Sequence, residues 1–486
     1  VQRQSAPKVA VIGAGFAGLG MAIRLKQRGY PVVVFEKAGD LGGVWRDNTY
    51  PGAACDVPSH LYSYSFEPEP HWSRRFGTQP EILAYLQRCA RKHGLHEHIR
   101  FGTGIAAADF DESTGTWTLI TDDGATHTAG AVVSACGQLR VPALPDLPGQ
   151  DSFAGPSFHT ARWDHSVDLS GKRVGVIGTG ATAIQVVPSI VDRVGELTLF
   201  QRSPPYLIPR SDEPYSARMR RLFERFPLLQ RLNRLRLFLQ YEARVVGFGY
   251  VPKLLRLYEA AFRRRLRKEV PDPRTRAALD PDYRMGCKRI LLSSDYYAAI
   301  RRPNLELVTD PAEEVVAEGV RTADGTTREL DVLVYATGFR SHDFLTPMRV
   351  TGRDGRDLDE RWRGGAEAHL GISVSGFPNF FLLYGPNTNL GHNSIIYMIE
   401  QQLRYVLDAV EALHREGLRY LDVRPEVQRG FVEHVQRRTE ASIFGTGCDS
   451  WYLTPEGRNT NNWPSSVLTY RKMTGGLDPD EYERVR

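Results

Sequence analysis

Short, unbroken apolar runs recur along this chain, separated by longer mixed stretches. Val9-Ala10-Val11-Ile12 and Val32-Val33-Val34-Phe35 come first, and Val174-Gly175-Val176-Ile177 and Leu197-Thr198-Leu199-Phe200 follow in the second third. Runs of this kind, with no polar alternation, predict strands buried on both faces, as in parallel sheets. The segment Asp331-Val332-Leu333-Val334-Tyr335-Ala336-Thr337-Gly338 predicts another buried strand, ended by a glycine turn. Thr116-Trp117-Thr118-Leu119-Ile120, a turn at Asp122-Asp123-Gly124 and the run Ala131-Val132-Val133-Ser134-Ala135-Cys136-Gly137 together predict a hairpin. Between 216 and 269 the period becomes helical: Leu228, Leu232, Leu235 and Leu239 share one face. Gly247-Phe248-Gly249 and Pro252 interrupt this pattern, and a second helix follows through Arg267. The leucine face is expected to pack on the body of the protein.

Glycines follow two of the apolar runs at matching offsets. Gly13-Ala14-Gly15-Phe16-Ala17-Gly18 comes after the first, and Gly178-Thr179-Gly180-Ala181-Thr182-Ala183 after Val174–Ile177. Between a strand and a helix, such a loop makes a tight turn, lets a pyrophosphate approach backbone N–H groups, and allows close helix–strand packing. The strands that come next end in opposite chemistry. One ends in Glu36, whose carboxylate suits a bare ribose; the other ends in Gln201-Arg202-Ser203, where a guanidinium suits a 2′-phosphate. The simplest reading is FAD in the first cradle and NADPH in the second. Ordinary glycine turns, and for Arg202 a solvated surface arginine, are the bland alternatives.

The composition adds limits. The chain has 486 residues, 41% apolar and 24% charged, enough for about three soluble domains. Its five cysteines, Cys55, Cys89, Cys136, Cys287 and Cys448, are scattered and form no CxxC, which argues against a disulfide-reductase flavoprotein and a zinc site. Scattered thiols suit a reducing cytoplasm. No apolar run reaches membrane-spanning length, and no signal-peptide pattern opens the chain, whose start at Val1 reads as trimmed or altered. No nucleic-acid partner is expected. The net charge of +5 is uneven: residues 216–269 hold 15 Lys and Arg against 4 Asp and Glu. Besides a solvated insertion, that block could contact anionic lipid or an acidic partner.

These features predict an α/β protein with two Rossmann-like dinucleotide-binding domains and a helical insertion. Residues 1–139 form the first part of the FAD-binding domain. The proline-rich connector Val141–Gly149 opens an NADP-binding domain over 140–332, with the insertion at 213–285; residues 333–486 return to complete the FAD domain.

Two longer patterns narrow the reading. Phe153-Ala154-Gly155-Pro156-Ser157-Phe158-His159-Thr160-Ala161-Arg162-Trp163-Asp164 fits FxGxxxHxxxW(P/D) at every fixed position. Gly42-Gly43-Val44-Trp45 through Tyr50-Pro51-Gly52 to Asp56 fits GGxWxxxxYPGxxxD. On these motifs the chain resembles, over nearly its whole length, the class B flavoprotein monooxygenases, and within them the type I Baeyer–Villiger monooxygenases. The related N- and S-oxygenating enzymes usually carry Tyr or Phe where Trp163 stands.

The resemblance implies an NADPH- and FAD-dependent insertion of one oxygen atom of O2 into a ketone, through a flavin C4a-peroxide, to give an ester or lactone. It makes Arg289, in Met285-Gly286-Cys287-Lys288-Arg289, the catalytic arginine and Asp56 the carboxylate that orients it. Arginine suits the task because it stays protonated beside a negatively charged oxygen at any working pH. Lys288 and Arg202 match residues that grip the 2′-phosphate, and Trp451 one that contacts the nicotinamide half, although Gly457-Arg458-Asn459-Thr460 diverges from the best-known members. The fingerprint residues Phe153, Gly155, His159, Trp163 and Asp164 are read as structural, with His159 linking domain movement to chemistry.

The cofactor-contacting set is expected to be Gly13, Gly15, Phe16, Ala17, Gly18, Glu36, Lys37, Gly43, Val44, Trp45, Asp56, Tyr62 and Gln138 from the first part. It continues with Gly178, Thr179, Gly180, Ala181, Thr182, Gln185, Arg202, Ser203, Lys288, Arg289, Ala336, Thr337, Gly338, Asn387 and Trp451. The connector and the 333–345 crossing are the expected hinges. A flavin monooxygenase acting on nitrogen or sulfur and a non-catalytic NADPH/FAD redox sensor remain the rival readings. A monomer or homodimer in the cytoplasm fits all of them, and the particular ketone is left open.

Overall fold

The structure is a computed structural model that describes residues 6–486, so Val1 lies outside the described residues. Two five-stranded sheets, every strand pairing parallel, form its frame. The first runs Phe380–Leu382, Ala131–Ser134, Val9–Ile12, Val32–Phe35, Ile99–Arg100 in spatial order. The second runs Leu305–Val308, Glu196–Phe200, Arg173–Ile177, Val332–Tyr335, Ser157–His159. The Val9–Ile12, Ala131–Ser134 and Val332–Tyr335 strands are buried at every position, which is why their sequences do not alternate. The chain leaves the second sheet after Tyr335 and re-enters the first at Phe380. The two connections between the sheets run side by side: Ala143 N–H donates to Gly338 O at 2.9 Å, and Arg340 N–H to Val141 O at 2.9 Å.

Three expectations are corrected. The hairpin predicted over 116–137 has a different second arm. Thr116–Thr121 pairs antiparallel with Thr126–Ala129, while Ala131–Ser134 lies in the first parallel sheet beside Val9–Ile12. The reason is burial. Thr116–Thr121 alternates between buried and half-buried positions and so has one core face, whereas Ala131–Ser134 needs cover on both.

The cysteines are not all free thiols: Cys287 and Cys448 form a disulfide across a Cα–Cα distance of 6.3 Å, and Cys55, Cys89 and Cys136 remain reduced. Sequence spacing could not show this, because the two partners lie 161 residues apart.

The leucine stripe of the insertion does not pack on the body. In the Pro227–Glu242 helix, Leu228 is 67% exposed and Leu232, Leu235 and Leu239 are exposed too. The helix docks through its other side. Gln230 Nε2 donates to Glu69 O at 2.8 Å, Arg234 Nη1 donates to the carbonyls of His60 and Ser63 at 2.7 and 2.8 Å, and Phe238 stacks on Tyr397. These polar anchors to the chain segment 60–69, with buried Leu237, Phe238 and Tyr241, set the helix's rotation, and the leucines are left outward.

Candidate active site

Both glycine loops lie at the carboxyl ends of their sheets, where a parallel α/β sheet opens its crevice. Gly13 has φ +103°, and a Cβ there would lie 2.7 Å from Ala135 O; Gly178 has φ +111° and a Cβ would lie 2.5 Å from Ala336 O. Each loop therefore turns against the end of a neighbouring strand with no room for a side chain. Gly18 serves packing: a Cβ would fall 1.8 Å from Gly13 O. The second loop manages with Ala183 because its helix starts only there, at Ala183–Ile190, whereas the first helix, Phe16–Gln27, starts right after Gly15.

A single cavity of about 1250 Å3 connects the two loops. It exceeds the volume typical of a site for one small ligand. Every residue of the expected contacting set borders it except Gly18, which faces Gly13, and Asn387. Asn387 is buried, and its Nδ2 donates to Asn459 O at 3.0 Å and Asn462 O at 3.2 Å, which ties two loops together. The fingerprint residues also lie away from the cavity. Gly155 packs against Asp331 O, Trp163 meets Phe158 edge-on, and the Asp164 carboxylate accepts from Ser166 N at 2.9 Å. Buried His159 accepts from Ala161 N–H at Nδ1 and packs on Phe339, at the crossing between sheets. Burial lowers its pKa.

On the first side, the buried Glu36 carboxylate accepts from Ala14 N–H at 2.8 Å and Ala38 N–H at 2.9 Å. These bonds hold it at the cavity edge. Gln138 is buried too, and it borders the cavity; its Nε2 donates to Tyr384 O at 3.2 Å, and its buried Oε1 has no partner within the described residues. An orphaned acceptor at that depth fits a donor-bearing planar ligand.

On the second side, Thr179 Oγ1 donates to Ser203 O at 2.7 Å and so anchors the Arg202-Ser203 turn to the glycine loop. Lys288 brings a second cation: its Nζ lies 3.5 Å from Ser203 Oγ and 4.6 Å from the Tyr283 ring centre. Burial lowers the Lys288 pKa; Asp449 opposes that shift, and the Arg202 charge adds to it. Two like charges left facing one cavity edge form a site for a dianion.

Where the two sides meet, Arg289 Nη2 donates to Asp56 Oδ2 at 2.5 Å. Burial alone would raise the Asp56 pKa, but the Arg289 charge and hydrogen bond, helped by Arg210, hold it below its ordinary value. The Asp56 charge in turn pushes the guanidinium above its already high value, so both stay ionised through any working pH. Both border the cavity. The GGxWxxxxYPGxxxD segment explains how Asp56 arrives there. A Cβ at Gly52 would lie 2.7 Å from Gln185 O, Tyr50 Oη donates to Gln185 Oε1 at 3.0 Å, and Gln185 Nε2 donates to Ala54 O at 3.0 Å. Gln185, from the helix after the second cradle, thus clasps the loop that presents Asp56.

Trp451 is half-exposed at the cavity rim, and its carbonyl accepts from Ser341 Oγ at 2.9 Å. The Cys287–Cys448 disulfide ties the same loop to the segment bearing Lys288 and Arg289. Replacing Cys448 by serine is expected to free this loop: amides 446–458 should exchange hydrogen faster, while those of both sheets keep their protection, as mass spectrometry can check.

Beyond the expected contacting set, Tyr384, Asn389, Leu390 and Asn393 also border the cavity. Tyr384 Oη donates to Asn389 Oδ1 at 2.8 Å, and Tyr384 takes the left-handed φ of 58°, a conformation its residue type does not announce.

Known proteins resemble this chain in sequence and fold. Residues 6–239 match the family described as flavin-binding monooxygenase-like. The chain is 46% identical over 478 residues, 98% of its length and 91% of the other, to a Baeyer-Villiger monooxygenase of Pseudomonas aeruginosa. This chain belongs to the Baeyer–Villiger monooxygenase family. Solved structures agree. A steroid monooxygenase bound to NADP superposes with a TM-score of 0.89 at 34% identity, covering 99% of both chains. OTEMO in complex with FAD and NADP does so with a TM-score of 0.89 at 30% identity, again covering 99% of both. As in other Baeyer–Villiger monooxygenases of this fold, two Rossmann-like units stand side by side, and in this chain the Asp56–Arg289 pair lies at their junction.

Proposed function

We propose that this chain holds FAD at the Gly13–Gly18 loop and NADPH at the Gly178–Ala183 loop, and oxygenates a ketone to an ester or lactone. The observation that carries the reading is the Asp56–Arg289 pair, ionised and facing the cavity that joins both cradles. FAD, when bound, supplies hydride acceptance from NADPH and the activation of O2. The balanced reaction is ketone + O2 + NADPH + H+ → ester or lactone + NADP+ + H2O.

The chain's own residues supply placement and charge. Glu36 accepts from a ribose hydroxyl with its remaining lone pairs, and Gln138 Oε1 accepts from a flavin N–H. Arg202 and Lys288 grip the 2′-phosphate of NADPH, which sets this dinucleotide apart from NADH. Arg289 stabilises negative charge as it builds on oxygen during attack at the carbonyl, and Asp56 restrains the guanidinium so that it need not reorganise. His159 and the paired connections at 141–143 and 338–340 transmit movement between the sheets. Among the described residues no helix is long and apolar enough to cross a membrane. We place the protein in the cytoplasm as a monomer or homodimer; the three free thiols suit that compartment, whereas the Cys287–Cys448 disulfide suits an oxidising one.

The test is a ketone panel with purified holoenzyme, NADPH and 18O2. We expect esters or lactones carrying one labelled oxygen, with NADPH used in equal amount. Oxidation confined to sulfides or amines would favour the nitrogen- and sulfur-oxygenating reading. Ketone-independent NADPH use that yields only hydrogen peroxide would point to a redox sensor.

A further inference from the structure

The outward leucines of the insertion have no role in the site described above. Leu228, Leu232, Leu235 and Leu239 make one row along the Pro227–Glu242 helix, and exposed Val246 continues it. Beyond the turn, Val251, Leu254, Leu257 and Tyr258 are exposed in their turn, with Leu257 at 70%. This face, with four leucines exposed in register on one helix, already exceeds the scattered apolar exposure of an ordinary surface.

Its charge is one-sided. Of the four acids between 216 and 269, Glu242 and Glu259 are buried, and Glu269 pairs with Arg265. Only Glu224 is exposed. Among the described residues, exposed Arg231, Arg236, Lys253 and Arg256 form no ion pair, since the salt bridges of this region involve other side chains. Arg231 and Arg236 flank the leucine row itself.

We propose that this face docks on the surface of an anionic lipid bilayer. A row of leucines with arginines beside it suits a helix lying flat at the interface, its apolar side chains among the acyl chains and its cations at the phosphates. A second copy fits poorly: a two-fold contact sets the patch against itself, and these cations would then oppose one another. The position has a consequence for the chemistry. The same helix ends in Glu242, which accepts from Asn393 Nδ2 at 2.7 Å, and Asn393 borders the cavity. The helix that carries the docked face thus reaches the cavity wall at its buried end, which would place the reaction chamber close to the interface where apolar ketones partition.

The test is co-flotation of the FAD-loaded enzyme with vesicles of phosphatidylcholine containing phosphatidylserine, and with vesicles of phosphatidylcholine alone. We expect at least ~10-fold more protein on the anionic vesicles. Salt, a Leu232→Ser/Leu235→Ser variant and an Arg231→Gln/Arg236→Gln variant should each release it. Both variants change exposed side chains, so NADPH oxidation with a water-soluble ketone should stay at the parent rate and report intact folding. Equal binding to both vesicle types, no binding to either, or retention by the leucine variant would overturn the proposal. So would a dimer in light scattering that the leucine variant dissolves, or binding to polyglutamate that the leucine variant leaves unchanged.

Discussion

Arg289→Ala is expected to oxidise NADPH at close to the parent rate while ester or lactone formation falls by roughly 100- to 1000-fold, the loss seen when one preorganised oxyanion donor is removed. The split follows from where the residue stands. The cradles that hold the two dinucleotides are built from the loops at 13–18 and 178–183 and from Arg202 and Lys288, and none of these depends on the Arg289 side chain for its position. The guanidinium is held instead by Asp56, at the junction of the two sides. Its contribution is a fixed positive charge, which matters only once oxygen carries negative charge. Hydride transfer should therefore continue, and the reducing equivalents should emerge as hydrogen peroxide. Coupled measurement of NADPH loss, peroxide and product separates these fates. Product formation at the parent rate would remove the guanidinium from the reaction. Arg289→Lys keeps the charge but loses the fork that meets the carboxylate, so intermediate activity is expected.

Arg202→Ala is expected to raise the KM for NADPH by roughly 10- to 100-fold, the range for losing a hydrogen-bonded charge partner, and to leave the KM for NADH almost unchanged. The anchoring of the Arg202-Ser203 turn by Thr179 means the substitution should not disturb the loop itself. Lys288→Ala should act in the same direction, because its ammonium faces the same edge of the cavity. With both removed, preference for NADPH over NADH should vanish in steady-state assays. Equal changes for both dinucleotides would mean that these cations do not read the 2′-phosphate.

The two Rossmann-like units were legible because their physics is local. A buried run, a glycine turn and a helix start all lie within about twenty residues, and each constrains the next. The cradle positions and the strand-end Glu36 and Arg202 follow from that local order. The Asp56–Arg289 pair is 233 residues apart, and only motif likeness joined the two in the sequence. The clasp by Gln185 that delivers Asp56, and the hydrogen-bonded Tyr384–Asn389 wall, have no local signature, because each depends on two segments meeting in space. Asn387 was expected at the cofactor, but a residue's place in the chain does not say which way its side chain faces.

Sequence by itself determined the α/β class, the doubled nucleotide cradle, the opposite chemistry at the ends of two strands and a basic, leucine-striped helix. All of these are written in spacing, residue type and charge over short stretches. Tertiary structure alone decided which strand completes the 116–121 hairpin, which cysteines pair, how Asp56 reaches Arg289, and that the leucine stripe faces outward. Periodicity shows that a helix has an apolar side. Which side it buries depends on what the rest of the chain offers, and here the carbonyls of His60, Ser63 and Glu69 together with the core around Phe238 and Tyr241 captured the side away from the leucines.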